Sequence, residues 1–202
     1  MKEMNLFLKK TLDFLGSFFG IVLLSPLLLI IAIMIKIDSS GPIFFKQDRI
    51  GKDGVTFEII KFRTMVTNAE KLGDGLSIKS KSDSRITKVG SFLRNTSLDE
   101  LPQLFNVIKG DMSLVGPRPP VTYHPYKGFE NYPKWTQSRF KMLPGVTGLA
   151  QITVRNSVSW EKRIEWDVKY INTFTFLLDI KIIIKTILKL FKSEDIYMDY
   201  DK

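Results

Sequence analysis

The residues from Phe14 to Ile35 read FLGSFFGIVLLSPLLLIIAIMI, a run of 22 residues without a charged side chain. At a rise of about 1.5 Å per residue, about 20 apolar residues cross the hydrocarbon core of a bilayer. The run is too long for a cleaved signal peptide, and no small-x-small cleavage site follows it. A soluble core helix of this length would have a polar face. The sequence therefore predicts a membrane segment.

Two features of this segment argue against a simple crossing. Ser25-Pro26 lies near its middle, where proline removes a helical hydrogen bond and favours a kink. Basic residues lie on both flanks: Lys2, Lys9 and Lys10 before the run, and Lys36, Lys46, Arg49 and Lys52 after it. Because basic flanks stay on the cytoplasmic side, both ends are placed there. We predict a re-entrant helix-break-helix over residues 1–40, with Ser25 and Pro26 at the break; an ordinary kinked transmembrane helix is the alternative.

The composition excludes several classes of functional site. The formal net charge of +9 favours an anionic partner: nucleic acid, acidic lipid headgroups or a phosphorylated substrate. There is no cysteine, which excludes disulfides, thiol catalysis and cysteine-bound zinc. The only histidine, His124, lies between Tyr123 and Pro125 and is interpreted as a structural loop residue. A nucleophile or general base must therefore come mainly from carboxylates, hydroxyls or lysines.

The chain after the membrane segment alternates short β-rich and helical patterns. Residues 43–50 and 55–62 predict a hairpin around Gly51-Lys52-Asp53-Gly54. Helical spacing follows over 86–94 and 159–170, and the polar stretch 67–85 predicts a mobile surface loop. The sequence predicts a fold of the broad α/β class. More narrowly, it predicts an α+β fold that is mainly helical. We predict that residues 41–202 form one cytosolic and interfacial domain, which would carry any catalytic residues.

The C-terminal segment from Leu177 to Lys192 is amphipathic. Its lysines fall on one helical face, at positions 181, 185, 189 and 192. The remainder is apolar, which is typical of a helix at a membrane surface with lysines reaching anionic headgroups. The alternative is a helix packed into the core with a solvated lysine face.

The stretch from Ser97 to Ile108 reads SLDELPQLFNVI and predicts a helix that ends near Lys109-Gly110. The acidic pair Asp99-Glu100 has an ordinary explanation as part of a capping box formed by Ser97 and Glu100, or with Asp99 as the cap. In either case the carboxylates lie at a helix start, where free backbone N–H groups also favour phosphate.

Two loops carry glycine and proline in patterns that suit phosphate contact. The first, Gly116-Pro117-Arg118-Pro119-Pro120, is stiff and presents one guanidinium that could grip phosphate oxygens. The second runs from Pro144 to Gln151. A rigid surface turn is the alternative for the first loop, and a plain turn before a strand is the alternative for the second.

Taken in order, these stretches resemble the bacterial sugar transferases, also called monotopic phosphoglycosyl transferases or polyprenyl-phosphate glycosyl-1-phosphate transferases, in their minimal catalytic-unit form. The blocks that carry the resemblance are Ser25-Pro26, 41–45, 61–65, 97–106, 110–119, 144–151 and 160–170. Each block alone is modest evidence, but the ordered set is specific and covers nearly the whole chain.

The resemblance implies a role for each matching residue. Asp99 would be the nucleophile that forms a covalent phosphosugar, and Glu100 would help hold Mg²⁺ beside it, so that Asp99 and Glu100 together form the metal site. Five residues would bind phosphate or other parts of the substrate: Lys61, Arg94, Arg118, Arg155 and Asp167. One departure concerns the residue before Arg155, which is Val154 here where relatives often have glycine. It puts in doubt which sugar is accepted and how Arg155 contacts it.

The implied substrates are a nucleotide sugar, with UDP the commonest nucleotide in the family, and polyprenyl (undecaprenyl) phosphate. The protein would lie on the cytoplasmic face of the bacterial inner membrane, contact lipids of that leaflet, bind no nucleic acid and start glycoconjugate assembly. A homodimer is compatible with the sequence. Two other readings stay open: a basic membrane-anchored binding protein without catalysis, and a lipid phosphatase that uses the same acidic pair.

Overall fold

The computed structural model of the chain describes residues 2–69, 83–154 and 158–190. The elements in chain order are α1 (Lys2–Asp38), β1 (Phe44–Ile50), β2 (Thr56–Phe62), α2 (Lys88–Thr96), α3 (Gln103–Lys109), β3 (Ser113–Val115), β4 (Gly145–Thr147), α4 (Leu149–Thr153), α5 (Trp160–Thr173) and α6 (Phe176–Leu190). The fold is mainly helical with small sheets, as predicted. Most of the predicted loop 67–85, Arg155 and the residues after Leu190, including Lys192, lie outside the described residues.

The N-terminal segment forms α1, a helix of 37 residues. By length and composition it is the one helix in the described part of the chain that could cross a membrane. The helix continues through Ser25-Pro26, so the break there stays a prediction. Pro26 has no N–H to donate to the carbonyl four residues earlier, and the Ser25 hydroxyl donates to that oxygen, Val22 O, at 2.8 Å.

Both ends of α1 pack onto the same globular domain. Near its start Lys9, Asp13 and Ser17 are buried at a spacing of four residues, which places them on one face. Near its end Ile31 and Ile35 are buried in a hydrophobic cluster with residues of β2 and α2. The middle of the helix exposes apolar side chains along its length.

A set of buried polar groups, called here the anchor cluster, joins α1 to α5 and α6; its members are Lys9, Asp13, Tyr170 and Asp179. Lys9 Nζ donates to Asp179 Oδ2 and to Val115 O, both at 2.7 Å. Tyr170 Oη donates to Asp179 Oδ1 at 2.8 Å, and Asp13 Oδ1 accepts from the N–H of Leu114 at 2.9 Å. The start of α1 is therefore held against β3.

The predicted hairpin is confirmed, with β1 and β2 antiparallel and paired from Phe44 with Phe62 to Ile50 with Thr56. The turn contains left-handed backbone at Asp53 and Gly54, where φ is 53° and 81°. Asn106 of α3 binds the free side of β2, because its Oδ1 accepts from Ile60 N and its Nδ2 donates to Glu58 O. This amide fixes α3, and the acidic turn before it, against the strand that carries Lys61.

A second pair of strands was not predicted, because three residues per strand are too few for a periodic pattern. Strands β3 and β4 are parallel, with Ser113 opposite Gly145 and Val115 opposite Thr147. Close approach requires glycine here, since a Cβ on Gly145 would lie 2.0 Å from Gly116 N. The pairing brings the two predicted loops, 116–120 and 144–151, side by side; the strand that follows Pro144 agrees with the simpler alternative for that segment.

The predicted helices over 86–94, 159–170 and 177–192 correspond to α2, α5 and α6. Ser159 caps α5, accepting from Lys162 N. In α6 Ile182 is fully buried, whereas Lys181 and Lys185 are exposed, as are three apolar residues near them: Ile184, Ile187 and Leu188. The helix therefore packs on the core with one face and exposes both lysines and apolar surface with the rest.

Candidate active site

The acidic pair lies in a short 3₁₀ turn, Leu98–Glu100, between α2 and α3. The capping-box alternative is wrong, because Ser97 has left-handed backbone and ends α2 and its side chain makes no capping bond. Asp99 is not a cap either, since the residue before α3 is Pro102 and no side chain caps that helix. Both carboxylates are therefore available for other contacts.

Glu100 binds two of the cations that were predicted to bind phosphate. Its Oε1 accepts from Lys61 Nζ at 2.6 Å and from Arg118 Nη2 at 2.9 Å. Burial opposes ionisation of Glu100, but the charges of Arg118 and Lys61 outweigh it and hold its pKa below the ordinary value. Together with Asp99 these residues form what we call the site cluster: Lys61, Asp99, Glu100 and Arg118.

Asp99 is the exception within the site cluster. Its half-buried carboxylate accepts no hydrogen bond and forms no ion pair within residues 2–69, 83–154 and 158–190. Burial raises the pKa of Asp99 to about 6, against the charge of Lys61, while the negative charge of Glu100 adds to the rise. At neutral pH the carboxylate is mostly ionised and is not committed to a protein partner, which is the condition a carboxylate nucleophile needs.

The side chains of the segment 61–65 make contacts in different parts of the molecule. Lys61 reaches the site cluster, and Phe62 joins the hydrophobic cluster under the end of α1. Arg63 donates to Ser39 O at 2.7 Å and also to Ser40 O, which fixes the chain where it leaves α1. Thr64 Oγ1 accepts from Arg94 Nε at 2.7 Å, and the Arg94 charge acts on Asp99.

Side chains donate to two carbonyl groups of the loop 116–120, and backbone N–H groups donate to two others. Three of its five residues are proline and have no N–H to donate, so the loop has few donors of its own. Arg139 Nη2 donates to Arg118 O at 2.8 Å, and Arg49 Nη1 donates to Pro119 O at 3.1 Å. These two arginines therefore hold two successive carbonyl groups of the loop.

The structure brings together Lys61, Arg94, Asp99, Glu100 and Arg118 as predicted neighbours, and it places Asp167 differently. Asp167 is 2% exposed, and its Oδ2 accepts from Arg139 Nη2 at 2.6 Å. Asp167 is linked to the site indirectly, because Arg139, which binds it, also donates to Arg118 O. A direct substrate contact by Asp167 stays a prediction. Arg155 lies outside the described residues.

Two further results concern residues beyond the acidic turn. Ser25 and Pro26 lie within the apolar helix and not at the site cluster. The ring of His124 packs edge-on against Trp160, with centroids 5.5 Å apart, which agrees with a structural role.

Sequence reasoning missed Arg49 and Arg139 as parts of the site. The sequence alone identifies Arg49 only as a basic flank of the membrane segment. The prolines of the loop 116–120 indicate that its carbonyls need donors from elsewhere, but spacing along the chain does not identify which arginines supply them.

Asp99 and Glu100 could hold Mg²⁺ only together with oxygen ligands from a substrate. Within the residues that the structure describes, no group of three or more acidic or histidine side chains could hold a metal ion. Asp99 and Glu100 offer two carboxylates, and Mg²⁺ is commonly held by one or two carboxylates together with phosphate oxygens and water. The oxygens of Asp99 have no protein partner in the described parts of the chain, which suits a ligand that arrives with the substrate.

Comparison with known proteins gives a consistent result. The family model described as "Bacterial sugar transferase" matches residues 4–193. A UDP-glucose:undecaprenyl-phosphate glucose-1-phosphate transferase of Klebsiella pneumoniae is 43% identical over 98% of this chain and 43% of its own length. A UDP-galactose-lipid carrier transferase of Erwinia amylovora is 39% identical over 97% of this chain and 43% of its own length.

A shorter relative is covered almost completely. The uncharacterized sugar transferase EpsL of Bacillus subtilis is 40% identical over 94% of this chain and 90% of its own length. The Klebsiella and Erwinia proteins are more than twice as long as the chain, so the similarity to them covers less than half of each.

Proposed function

The chain belongs to the bacterial sugar transferase family, and we propose that it transfers a sugar 1-phosphate from a UDP-sugar to undecaprenyl phosphate. The products are undecaprenyl-diphosphate-sugar and UMP. The printed names of the relatives supply the two substrate classes. The observation in this chain that carries the proposal is the carboxylate of Asp99, which is ionisable, has no partner in the described residues and lies beside cations.

In the first step an oxygen of Asp99 attacks the phosphorus that bears the sugar. The bond from this phosphorus to the bridging oxygen breaks, and UMP leaves with the electron pair. Lys61, Arg94 and Arg118 surround the acidic pair and offset the negative charge of the diphosphate. The product on the protein is a phosphosugar bound to Asp99.

In the second step an oxygen of undecaprenyl phosphate attacks the same phosphorus, and the bond to Asp99 breaks. A covalent intermediate divides one displacement between two anions into two displacements at one site. Asp99 and Glu100 would hold Mg²⁺ with the phosphate oxygens, and the bound ion would neutralise charge that develops during transfer. Glu100 also binds Lys61 and Arg118, whose charges act on Asp99.

We propose further that the protein is monotopic on the cytoplasmic face of the bacterial inner membrane. The two ends of α1 support this topology, because Lys9 pairs with Asp179 and Asp38 accepts from Val89 N at 2.9 Å. A helix that crossed the bilayer would carry one of these ends to the opposite side, away from the domain that both contact. A change of direction at Pro26 lets α1 enter the bilayer and return.

Helix α6 supports the same placement. It exposes Lys181 and Lys185 together with apolar residues, a combination suited to anionic headgroups and the acyl boundary. A site at the membrane surface would meet a soluble nucleotide sugar and a lipid-bound acceptor together.

The chemistry is tested by incubating the purified protein in vesicles with undecaprenyl phosphate, Mg²⁺ and a panel of nucleotide sugars, and measuring nucleoside monophosphate. Release of UMP from one UDP-sugar, with matching formation of lipid-linked sugar, is the expected result. A binding protein would release nothing, and a lipid phosphatase would release inorganic phosphate from undecaprenyl phosphate without a nucleotide sugar. Full activity in excess chelator would contradict the role of Mg²⁺.

The topology is tested with single cysteines, because the chain has none of its own. Cysteines in place of the exposed Lys10 and Lys46 should both react with a membrane-impermeant thiol reagent from the cytoplasmic side. A cysteine in place of Leu23, in the middle of the apolar run, is the control and should be shielded by lipid. Labelling of positions 10 and 46 from opposite sides would rule out the re-entrant form.

A further inference from the structure

Arg49 occupies a position beside the site that no proposed step has used. It lies on β1 next to its last residue, and its guanidinium is half-buried. Nη1 donates to Pro119 O at 3.1 Å, and Nη2 donates to Gln47 Oε1 at 2.6 Å. Gln47 is itself held, because its Nε2 donates to Tyr123 Oη at 3.2 Å. The guanidinium is therefore fixed in place before any ligand arrives.

The charge of Arg49 is not balanced by a neighbouring acid. It forms no ion pair in the described parts of the chain, whereas the only carboxylate that acts on it, Glu100, is already paired with Lys61 and Arg118. Burial and the charge of Arg118 lower the pKa of Arg49 to about 10, which leaves it charged at neutral pH. A half-buried, unpaired charge is costly, and an anion beside it offsets the cost.

The donors of Arg49 leave room for such an anion. A guanidinium has five N–H groups. Two of them reach Pro119 O and Gln47 Oε1, and Nε is buried without a partner. Two N–H groups, one on each terminal nitrogen, are left without a partner within the described residues.

We propose that Arg49 binds a phosphate oxygen of the substrates, as an additional cation of the site presented by β1 and held by Gln47 and Tyr123. This inference rests on the proposed transfer reaction. The phosphate belongs either to the nucleotide sugar or to undecaprenyl phosphate, since both must pass Asp99. The competing explanation is structural: Arg49 does no more than hold Pro119 O and thereby the loop 116–120.

Two substitutions separate these explanations. Arg49→Gln removes the charge but keeps an amide donor for Pro119 O. Gln47→Glu keeps the Arg49 guanidinium and an acceptor for it, but it places a carboxylate against the guanidinium and neutralises it. Lys46→Gln is the matched control, because it removes one positive charge from an exposed neighbour on the same strand that pairs with Glu58.

Phosphate binding predicts that both variants raise KM about ten-fold or more, the effect of losing a charge-assisted hydrogen bond. Steady-state kinetics with UDP-glucose and undecaprenyl phosphate show which substrate supplies the phosphate. A higher KM for UDP-glucose alone identifies the nucleotide sugar, and a higher KM for undecaprenyl phosphate alone identifies the lipid phosphate. A higher KM for both substrates indicates a position that the two steps share. Lys46→Gln should leave both values unchanged.

A purely structural role gives a different pattern and would overturn the proposal. Gln47→Glu would strengthen the bond to Arg49 and leave KM unchanged, and Arg49→Gln would lower kcat or the unfolding temperature without raising KM. If Arg49→Gln does not fold, Gln47→Glu decides alone, because it retains every contact to Pro119. Absence of turnover by the unsubstituted protein would count against the transfer reaction itself and is seen before any variant is made.

Discussion

The anchor cluster and the site cluster are both groups of charged side chains, buried in the first and half-buried in the second, and they differ in how their carboxylates are satisfied. In the anchor cluster Asp179 is bound by Lys9 and Tyr170, and Asp13 is bound by a backbone N–H. In the site cluster Glu100 is bound by two cations, while Asp99 is bound by nothing within the described residues. Burial and charge are common to structural and functional groups, so the group left without a partner is the one that indicates chemistry.

The largest difference between the clusters should appear when one carboxylate of each is neutralised. Asp99→Asn should lower UMP release by about four orders of magnitude, because the nucleophile is lost. The unfolding temperature should stay equal or rise, since a carboxylate whose burial opposes ionisation is replaced by a neutral group. Asp53→Asn, at an exposed aspartate of the hairpin turn that pairs with Lys52, is the control. Transfer by Asp99→Asn at more than a few per cent of the normal rate would refute the nucleophile assignment.

In the anchor cluster, by contrast, we expect a substitution to lower stability and to leave activity nearly unchanged. Lys9→Met leaves the buried Asp179 without its cation and should lower the free energy of unfolding by about 3–5 kcal/mol. The folded fraction should keep its activity within about three-fold. Chemical denaturation in one detergent, with activity normalised to folded protein, measures both quantities.

A double substitution shows whether this loss comes from the stranded charge. Lys9→Met combined with Asp179→Leu removes both charges and should recover most of the stability. Lys10→Met, at the exposed neighbour, should change stability by less than about 0.5 kcal/mol. If the double variant is no more stable than Lys9→Met, the pair matters for its shape or its bond to Val115 O rather than for its charge.

A third carboxylate, Asp167, lies between the two cases because it is buried like Asp179 but acts on the site. Asp167→Asn weakens the hold of Arg139 on Arg118 O, and we expect kcat to fall about 10- to 100-fold through misplacement of Arg118. KM for the UDP-sugar should change by less than about three-fold. A large rise in KM with kcat unchanged would instead support the direct substrate contact that the family resemblance implies.

The sequence predicted the elements with strong local patterns and failed where contacts are distant. The hairpin around Gly51-Gly54 and the end of α3 at Gly110 depend on neighbouring residues and were predicted. The role of Glu100 in a capping box was wrong, because the backbone of Ser97 is left-handed and Glu100 binds Lys61 from another element. Local rules describe what a residue can do for its own helix, and the tertiary contacts decided what this one does.

The contacts of the anchor cluster could not be predicted from local sequence patterns either. Lys9 was interpreted from the sequence as a basic flank that stays in the cytoplasm, and Asp179 had no role at all. Their contact joins residues 170 positions apart, a distance over which no periodic pattern operates. The order of short motifs identified the family and the acidic pair, but the partners that hold them in place could be found only in the folded chain.

The last prediction concerns pH and involves both Asp99 and Asp167, because burial raises the pKa of each to about 6. Asp99 must be ionised to attack, so kcat/KM should fall about ten-fold per pH unit below an apparent pKa no higher than about 6. Stability responds in the opposite direction. A carboxyl whose folded pKa is raised contributes most below its ordinary value of 3.8, and this contribution is lost as the pH rises through about 6.

The Asp167→Asn variant decides which of the two carboxyls controls the rate. It removes one group with a raised pKa and leaves Asp99 in place, so the acid limb of its pH–rate profile should keep its position while its maximum is lower. If the limb disappears in this variant, the ionisation that controls transfer belongs to Asp167 and its pairing with Arg139. The unpaired state of Asp99 would then no longer be what separates the site cluster from the anchor cluster.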